Sequence, residues 1–287
     1  MPKALVNGIN FHYWRVGEGP DMVMVHGLNG NLAVWHLKMV PELRKEYRIT
    51  TYDLRGHGRS DMPPTGYTTE DMANDLLGIM DALGIERAHL VGHSLGADIS
   101  LHFALLYPNK LEKMVLIEPA IPTLVNLRKR ESWEGWAYWA QLIEEFTGIQ
   151  VPREKWTDLD YMIRLSVEAP IIYGPARGLP RKKEPTLRLL DTTTIVKDYE
   201  VVGDLTLENL AKIPHPKLLI YDGTSPYLDT YYLLRDALVN CTPVLLPPSE
   251  HRHFSPLDEP EVLLEHMKEF LQPGEIRVPS VPEDSSQ

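Results

Sequence analysis

One serine of this chain lies between an apolar run and a stretch of helical character, inside the pattern Gly-x-Ser-x-Gly. The motif is Gly92-His93-Ser94-Leu95-Gly96. A strand, a sharp turn and a helix in this order need glycine on both sides of the serine, because a side chain there would collide with the neighbouring strand or helix. The turn directs the Ser94 hydroxyl and the following backbone N–H to the same point. The motif therefore predicts a serine that is presented to attack an acyl carbon.

Short apolar runs and helix-like stretches alternate on both sides of the motif. The predicted strands are residues 9–14, 22–25, 47–52, 89–91, 114–117, 216–221 and 242–246, and the predicted helices are residues 33–43, 68–83, 95–107 and 260–271. Short strands that are apolar throughout are typical of a parallel sheet covered on both faces. The chain is therefore predicted to have the α/β fold class, with a mostly parallel central sheet and helices on both faces.

The alternation stops at Pro119 and resumes late in the chain. The residues in between have helical character, contain several prolines and show no clear strand run. We therefore predict a core in two parts, residues 1–119 and 211–272, interrupted by an inserted helical cap at residues 120–210. The last segment, residues 273–287, is rich in Pro, Glu and Ser, and it is predicted to be a mobile tail because it has little apolar surface to bury.

Further motifs accompany the serine. They are His26-Gly27-Leu28-Asn29-Gly30 after the second predicted strand, Asp53-Leu54-Arg55-Gly56 after the third, and His253-Phe254 shortly before Asp258-Glu259-Pro260. Together with the serine motif, this set resembles the α/β-hydrolase superfamily and, within it, the capped, esterase-like branch. The resemblance covers roughly residues 8–271, without the middle segment. It implies an α/β-hydrolase fold with an inserted helical cap.

The resemblance also implies a role for the motif residues. Ser94 would be the nucleophile and His253 the general base, since an imidazole with a pKa of about 6.5 can take and return a proton near neutral pH. His251 is a rival base in the same loop, and we expect it to line that loop instead. The backbone N–H groups of Leu28 and Leu95 would form the oxyanion hole, which needs donors but no particular side chain.

The acidic partner of the histidine is where this chain departs from the family pattern. The usual aspartate follows the strand predicted at residues 216–221, and here Ser225 stands in its place. Three readings remain: Glu118 supplies the carboxylate from the neighbouring strand end, Asp222 supplies it from a shifted loop, or the site works without an acid. We favour Glu118. The alternative for Asp222 is a turn carboxylate that accepts hydrogen bonds from its own loop.

Three tryptophans in the predicted cap are spaced by three residues, so they share one side of a helix turn. They are Trp133, Trp136 and Trp139. This side either packs the cap onto the core or lines the substrate pocket with apolar surface. Both hold if the packed face overhangs Ser94.

Other charged residues are expected to be structural. Asp53 and Arg55 are predicted to pair with each other and to build a loop rather than to react. The basic runs at residues 128–130 and 181–183 are too short to indicate nucleic-acid binding, and we expect them to be solvated faces.

These residues predict a serine-dependent, carboxylesterase-like hydrolase that cleaves a small, largely apolar ester through an acyl-enzyme. The same groups would also serve a C–C bond hydrolase, a lactonase or a thioesterase. The displaced acid leaves a catalytically weak small-molecule-binding protein as a further alternative. Because the nucleophile is Ser94 rather than an aspartate, the resemblance disfavours the dehalogenase and epoxide-hydrolase branches, which form alkyl-enzyme esters.

Charge and composition argue against other classes of function. The chain of 287 residues has a formal net charge of -11, whereas binding to nucleic-acid phosphates needs a positive face. It has no apolar run of the roughly 20 residues that a membrane span needs and no recognisable secretory signal, so a cytoplasmic setting is expected. Metal-ligand spacings and phosphate-binding glycine loops are not found, so we predict no cofactor and no metal. The expected partner is a small-molecule ester.

Overall fold

The computed structural model describes residues 2–121, 132–172, 174–201, 203–249 and 252–272. Its strands are β1 (Lys3–Val6), β2 (Ile9–Val16), β3 (Asp21–Val25), β4 (Arg48–Tyr52), β5 (Ala88–His93), β6 (Leu111–Ile117), β7 (Lys217–Asp222) and β8 (Cys241–Leu246). Its α-helices are α1 (Ala33–His36), α2 (Met39–Leu43), α3 (Thr69–Ala82), α4 (Leu95–Leu106), α5 (Glu134–Thr147), α6 (Leu159–Ser166), α7 (Glu184–Thr192), α8 (Ile195–Tyr199), α9 (Leu207–Leu210), α10 (Leu228–Ala237), α11 (Ser255–Asp258) and α12 (Pro260–Leu271). The predicted tail at residues 273–287, the basic run at residues 128–130 and His251 lie outside the described residues.

The eight described strands form one sheet in the order β1-β2-β4-β3-β5-β6-β7-β8. The six strands from β3 to β8 pair in parallel, whereas β2 pairs antiparallel with β1 and with β4. The order along the sheet reverses at β3, because β4 lies on one side of it and β5 on the other. In parallel sheets, ligands bind beyond the carboxyl ends of the strands at such a reversal.

Helices cover both faces of this sheet. On one face, α3, α4 and α10 pack against the strands, and Phe103 and Leu234 are fully buried there. On the other face, α1, α2 and α12 bury Trp35 and Met267 in the same way. This arrangement confirms the predicted α/β class with a mostly parallel sheet.

Several local features differ from the predicted elements, and helix α10 was not predicted. Residues 33–43 form two short helices instead of one, because Pro41 has no N–H for the carbonyl of Leu37 and its ring would clash with that carbonyl. The short strand β1 was not predicted. It forms a hairpin with β2 through a turn in which Asn7 and Gly8 have positive φ angles of 52° and 77°.

The expected pairing between Asp53 and Arg55 was wrong. Arg55 instead forms two hydrogen bonds of 2.6 Å with Asp75 of α3. Asp53 lies 2.7 Å from the Nδ1 atom of His12, and its Oδ1 accepts a hydrogen bond from the Leu32 N–H at 2.8 Å. Asp53 and Arg55 are therefore not paired with each other, and each contacts an element that is distant in sequence.

The described residues between β6 and β7 contain helices α5 to α9 and no strand. We call these helices the helical segment. It has an apolar cluster of its own, in which Trp136, Met162 and Leu189 are almost completely enclosed. Tyr67 from the loop before α3 joins this cluster, so the helical segment packs on the core there. Among the helices of the described ranges, none combines the length and the apolar character needed to cross a membrane.

Candidate active site

Ser94 directly follows β5 and precedes α4, beside the reversal point of the sheet. Its backbone has φ 54° and ψ −124°, a conformation that costs a non-glycine residue about 1–3 kcal/mol. A Cβ on Gly92 would lie 2.4 Å from the Gly96 carbonyl oxygen, and one on Gly96 would lie 2.1 Å from the Val25 carbonyl oxygen. Only glycine therefore fits on the two sides of the serine, and the turn has the geometry of a nucleophile elbow.

Glu118 occupies the matching position on the next strand. His93 of β5 pairs with Ile117 of β6, so Ser94 and Glu118 each come one residue after a paired position. The Ser94 N–H donates to the Ile117 carbonyl oxygen at 2.9 Å. Glu118 also has a positive φ, of 52°. Two neighbouring strand ends thus carry a hydroxyl and a carboxylate, each on a turn with unusual backbone geometry.

The side chain of Glu118 is completely buried and receives two hydrogen bonds. The Asp222 N–H donates to Oε1 at 2.7 Å, and the Ser225 hydroxyl donates to Oε2 at 2.5 Å. Burial raises the pKa of Glu118 well above its ordinary value, and the two hydrogen bonds oppose that shift because they stabilise the charged form. Ser225, which stands where the family usually has its aspartate, therefore supports the carboxylate of Glu118.

His253 approaches the same carboxylate from the turn between β8 and α11. Its Nδ1 atom lies 3.3 Å from Glu118 Oε2, and both side chains are shielded from solvent. The rings of Tyr227, His93 and Phe254 lie around the imidazole, with centroid distances of 4.9, 5.0 and 5.6 Å. This packing restricts the orientation of the imidazole and directs Nδ1 to the carboxylate.

Asp222, the alternative acid, uses its carboxylate to join its own turn to the loop after β8. Its Oδ1 accepts hydrogen bonds from the Thr224 N–H at 2.7 Å and from the Thr224 hydroxyl at 2.5 Å. Its Oδ2 accepts a hydrogen bond from the Ser249 hydroxyl. Side chains of this kind commonly bond their own turn. Of the two candidate acids, the structure places Glu118 against His253 Nδ1.

The two predicted oxyanion donors belong to the turns that meet at Ser94. Leu95 is the first residue of α4, so its N–H has no acceptor within that helix. Leu28 follows Gly27, and a Cβ on Gly27 would lie only 3.1 Å from the Ser94 Cβ. The absence of a side chain at Gly27 thus allows the loop after β3 to approach the serine closely.

Two buried histidines hold the backbone around the site. His26 donates from Nδ1 to the Gly27 carbonyl oxygen at 2.8 Å and accepts at Nε2 from the Leu54 N–H at 3.0 Å. His93 donates from Nε2 to the carbonyl oxygen of His253 at 2.8 Å. Burial lowers the pKa of both His26 and His93 to about 3, so both rings are neutral near neutral pH. A neutral ring can act as donor at one nitrogen and acceptor at the other.

Ser94 and His253 line a cavity of about 260 Å³ with a largely apolar wall, which is typical of small-molecule sites. Trp133, Trp136 and Trp139 all contribute to that wall. Trp136 stacks on Trp139 with a centroid distance of 5.9 Å and meets Trp133 edge-on at 5.2 Å. The tryptophans therefore pack within the helical segment and face the cavity as well. In the part of the chain that the structure describes, no group of three His, Cys, Asp or Glu is placed to hold a metal ion.

The structure adds a residue that sequence reasoning missed. Arg181 lines the same cavity, although the basic run at residues 181–183 was predicted to be a solvated face. That prediction was wrong for Arg181, while Lys182 is exposed. Arg181 belongs to no motif, and it reaches the cavity only because of how the helical segment folds.

A sequence profile described as alpha/beta hydrolase fold matches residues 20–252, which is most of the chain. The chain therefore belongs to the alpha/beta hydrolase fold family. The solved structure of the enol-lactonase from Burkholderia xenovorans LB400 is 23% identical and superposes with a TM-score of 0.63, over 94% of this chain and 99% of that one. At this level of identity, the likeness shows the shared fold.

Two curated relatives are similar over part of their length. The putative carbamate hydrolase RutD of Caulobacter segnis is 39% identical over 121 residues, covering 41% of this chain and 45% of that protein. Epoxide hydrolase 3 of Siraitia grosvenorii is 37% identical over 131 residues, covering 42% of each. The matches thus span less than half of these relatives. Family and relatives together indicate a hydrolase.

Proposed function

We propose that the protein is a serine hydrolase that cleaves a carboxylic ester of a small, largely apolar substrate through an acyl-enzyme. One observation carries the proposal: Ser94 shares a cavity wall with His253, whose Nδ1 lies 3.3 Å from Glu118 Oε2. In this proposal Ser94, His253 and Glu118 form the catalytic triad. The helical segment acts as the cap, and its tryptophans form the apolar wall of the substrate pocket.

The first half of the proposed reaction forms the acyl-enzyme. His253 accepts the Ser94 hydroxyl proton at Nε2, since its Nδ1 faces Glu118, and the serine oxygen bonds to the ester carbonyl carbon. The carbonyl oxygen becomes an oxyanion, which accepts hydrogen bonds from the N–H groups of Leu28 and Leu95. When the tetrahedral species collapses, the ester C–O bond breaks and the alcohol leaves with the proton from His253.

The second half returns the serine. A water molecule gives a proton to His253 as its oxygen bonds to the acyl carbon, and a second oxyanion forms at the same N–H groups. Its collapse breaks the bond to Ser94, which takes the proton back, and the carboxylic acid leaves. In both halves the carboxylate of Glu118 stabilises the imidazolium and holds its orientation.

A carbamate is the second candidate substrate class, because the similar stretch of RutD belongs to a putative carbamate hydrolase. A carbamate has an acyl carbon that Ser94 could attack in the same way. Epoxide opening is not proposed, although Epoxide hydrolase 3 is also similar, since a serine rather than an aspartate holds the nucleophile position.

The proposed function is tested by labelling with a fluorophosphonate probe and by hydrolysis of 4-nitrophenyl butyrate. We expect the wild type to be labelled once and to turn over the ester. Ser94→Ala should lose the label, and kcat should fall on the order of 10⁶-fold, as for a triad nucleophile. Intact mass and initial rates provide the two readouts.

Ser166→Ala is the matched control for labelling, because Ser166 also lines the cavity but its hydroxyl donates to the Met162 carbonyl oxygen in α6 and accepts from Trp139 Nε1 at 2.6 Å. It should keep the label. An unlabelled wild type, or a Ser94→Ala protein that is still labelled, would contradict the proposal. A wild type that is labelled but never turns over would favour the small-molecule-binding alternative.

A further inference from the structure

Arg181 brings a positive charge into the wall of the cavity that contains Ser94 and His253. It lies in the loop before α7. Among the described residues that line this cavity, it is the one side chain, apart from the histidines, that carries a charge. An apolar cavity with one cation in its wall is a specific chemical environment, because a charge interacts more strongly beside apolar surface than in bulk water.

The guanidinium of Arg181 has no protein partner within the described ranges. Its Nε atom is buried and makes no hydrogen bond. Two nearby cations, by contrast, pair with carboxylates: Arg164 lies 2.7 Å from Asp160, and Lys183 pairs with Glu168. Arg181 is half-buried, and buried polar atoms in folded proteins are nearly always hydrogen-bonded. Its Nε is therefore an unused donor in the cavity wall, which an anion in the cavity could satisfy.

The chemistry of that anion follows from the guanidinium. Arginine presents a planar set of N–H donors that matches the two oxygens of a carboxylate. The cavity is largely apolar elsewhere, so the ligand should be apolar apart from one anionic end. Long-range electrostatic attraction by the whole protein would not bring an anion to this cavity, because the chain carries a net charge of -11. Anion binding would depend on Arg181 itself.

We infer that Arg181 is the anion subsite of the cavity and that the substrate is an ester bearing a carboxylate on its acyl or its alcohol part. The inference rests on the proposed ester hydrolysis and narrows its substrate class. Arg181 would bind the carboxylate at one end of the cavity while Ser94 attacks the ester carbon. Neutral esters would still be cleaved, but without this contact.

Two pairs of esters test the inference and locate the charge. The first pair is 4-nitrophenyl hydrogen adipate and its neutral methyl ester, which place the charge on the acyl part. The second pair is 4-acetoxybenzoate and its methyl ester, which place it on the alcohol part. The readout is the ratio of kcat/KM between the charged and the neutral ester of each pair. We expect the wild type to prefer the charged ester in one pair.

In Arg181→Gln, kcat/KM for that charged ester should fall about 10- to 100-fold, the range for a lost charge-assisted hydrogen bond, while the neutral ester is nearly unaffected. Arg181→Lys should lose less, because it keeps the charge. Lys182→Gln is the matched control, since it removes the same charge from the adjacent, exposed position. An unchanged ratio in Arg181→Gln, or an equal change in Lys182→Gln, would overturn the inference.

A binding measurement separates this inference from the proposed function. Adipate is titrated calorimetrically into Ser94→Ala and into the double variant Ser94→Ala/Arg181→Gln, neither of which needs to turn over an ester. We expect adipate to bind the first about 10- to 100-fold more tightly than the second. Equal affinities refute the anion subsite even if esters are cleaved. Unequal affinities support it even if the wild type hydrolyses no ester.

Discussion

The turns after β6 and β7 each carry a completely buried carboxylate, yet the two carboxylates have different surroundings. Glu118, after β6, lies 3.3 Å from the His253 imidazole and receives hydrogen bonds from the β7 turn. Asp222, at the end of β7, accepts hydrogen bonds from Thr224 in the following turn and from Ser249 in the loop after β8. One carboxylate has an oxygen directed to the His253 imidazole, and the other joins the β7 turn to the loop after β8.

The comparison shows that the position of a carboxylate in the sheet does not by itself decide whether it faces His253. The β7 turn is where the family pattern has its aspartate, but here it supplies a hydroxyl, that of Ser225, which donates to Glu118. The longer side chain of Glu118 starts one strand closer to Ser94 and still meets His253. The β7 turn thus supports a carboxylate that the β6 turn provides.

Among changes to the two carboxylates and the residues around them, the largest effect is expected from Glu118→Gln, which keeps the shape of the side chain and removes its charge. Loss of the carboxylate that orients a catalytic histidine should lower kcat for 4-nitrophenyl butyrate by about 10³- to 10⁴-fold. Burial raises the pKa of Glu118, so the wild type loses stability as pH rises through that pKa. The free energy of unfolding of the variant, relative to wild type, should therefore increase with pH in urea titrations. A kcat close to wild type would remove Glu118 from the triad.

We expect the protein to lose stability in acid, because the buried histidines around the site are neutral in the folded protein. The pKa of His93 is lowered to about 3 in the folded protein, from 6.5, so the unfolded chain binds more protons between these values. Stability due to His93 should therefore fall by about 2 kcal/mol between about pH 7 and about pH 5. Urea unfolding at both pH values checks this, with His93→Gln as the non-titrating variant. An equal pH dependence in that variant and in wild type would contradict the assignment.

A smaller effect on kcat is expected from removing hydroxyls of the β7 turn. One hydroxyl donates to Glu118 and another to Asp222, so the two substitutions compare the two carboxylates directly. Ser225→Ala removes the hydroxyl bonded to Glu118 and should lower kcat about 10-fold, as expected for one hydrogen bond to a charged group. Thr224→Val removes the hydroxyl bonded to Asp222 at 2.5 Å and should leave kcat nearly unchanged. Steady-state rates of both variants check this expected order. The reverse order would mean that the Asp222 loop, and not Glu118, supports the histidine.

The smallest effect on activity is expected from Asp222→Asn. Its kcat should stay within about threefold of wild type, because the Asp222 carboxylate accepts hydrogen bonds from Thr224 and Ser249, whereas Glu118 faces His253. Stability should fall by about 1–3 kcal/mol instead, since the new amide NH₂ cannot accept the hydrogen bond that one carboxylate oxygen accepted. Rates and urea unfolding of the same preparation separate the two effects. A large loss of kcat without a loss of stability would reverse the assignment.

The fold could be predicted from the sequence because its signals are local. Each apolar run and helical stretch outside the helical segment indicated its own element, and Gly92 and Gly96 marked the sharp turn. Even here the local signals were incomplete: the break in residues 33–43 depends on Pro41, and strand β1 and helix α10 were not predicted.

The site was only partly predictable, because its contacts join distant residues. The hydrogen bond between Ser225 and Glu118 spans 107 positions, so no local pattern distinguishes Glu118 from Asp222 as acid. The pairing of Arg55 with Asp75 instead of Asp53 has the same cause. Arg181 resembles any basic loop residue in the sequence, and only the fold brings it to the cavity.

The central claim, that Glu118 and not Asp222 orients His253, is tested most directly by proton NMR of the His253 Nδ1–H. An imidazole N–H that donates to a buried carboxylate gives a strongly downfield signal, and His253→Gln identifies it by its disappearance. We expect the signal in wild type and in Asp222→Asn and its loss in Glu118→Gln. Loss of the signal in Asp222→Asn, with retention in Glu118→Gln, would contradict the account.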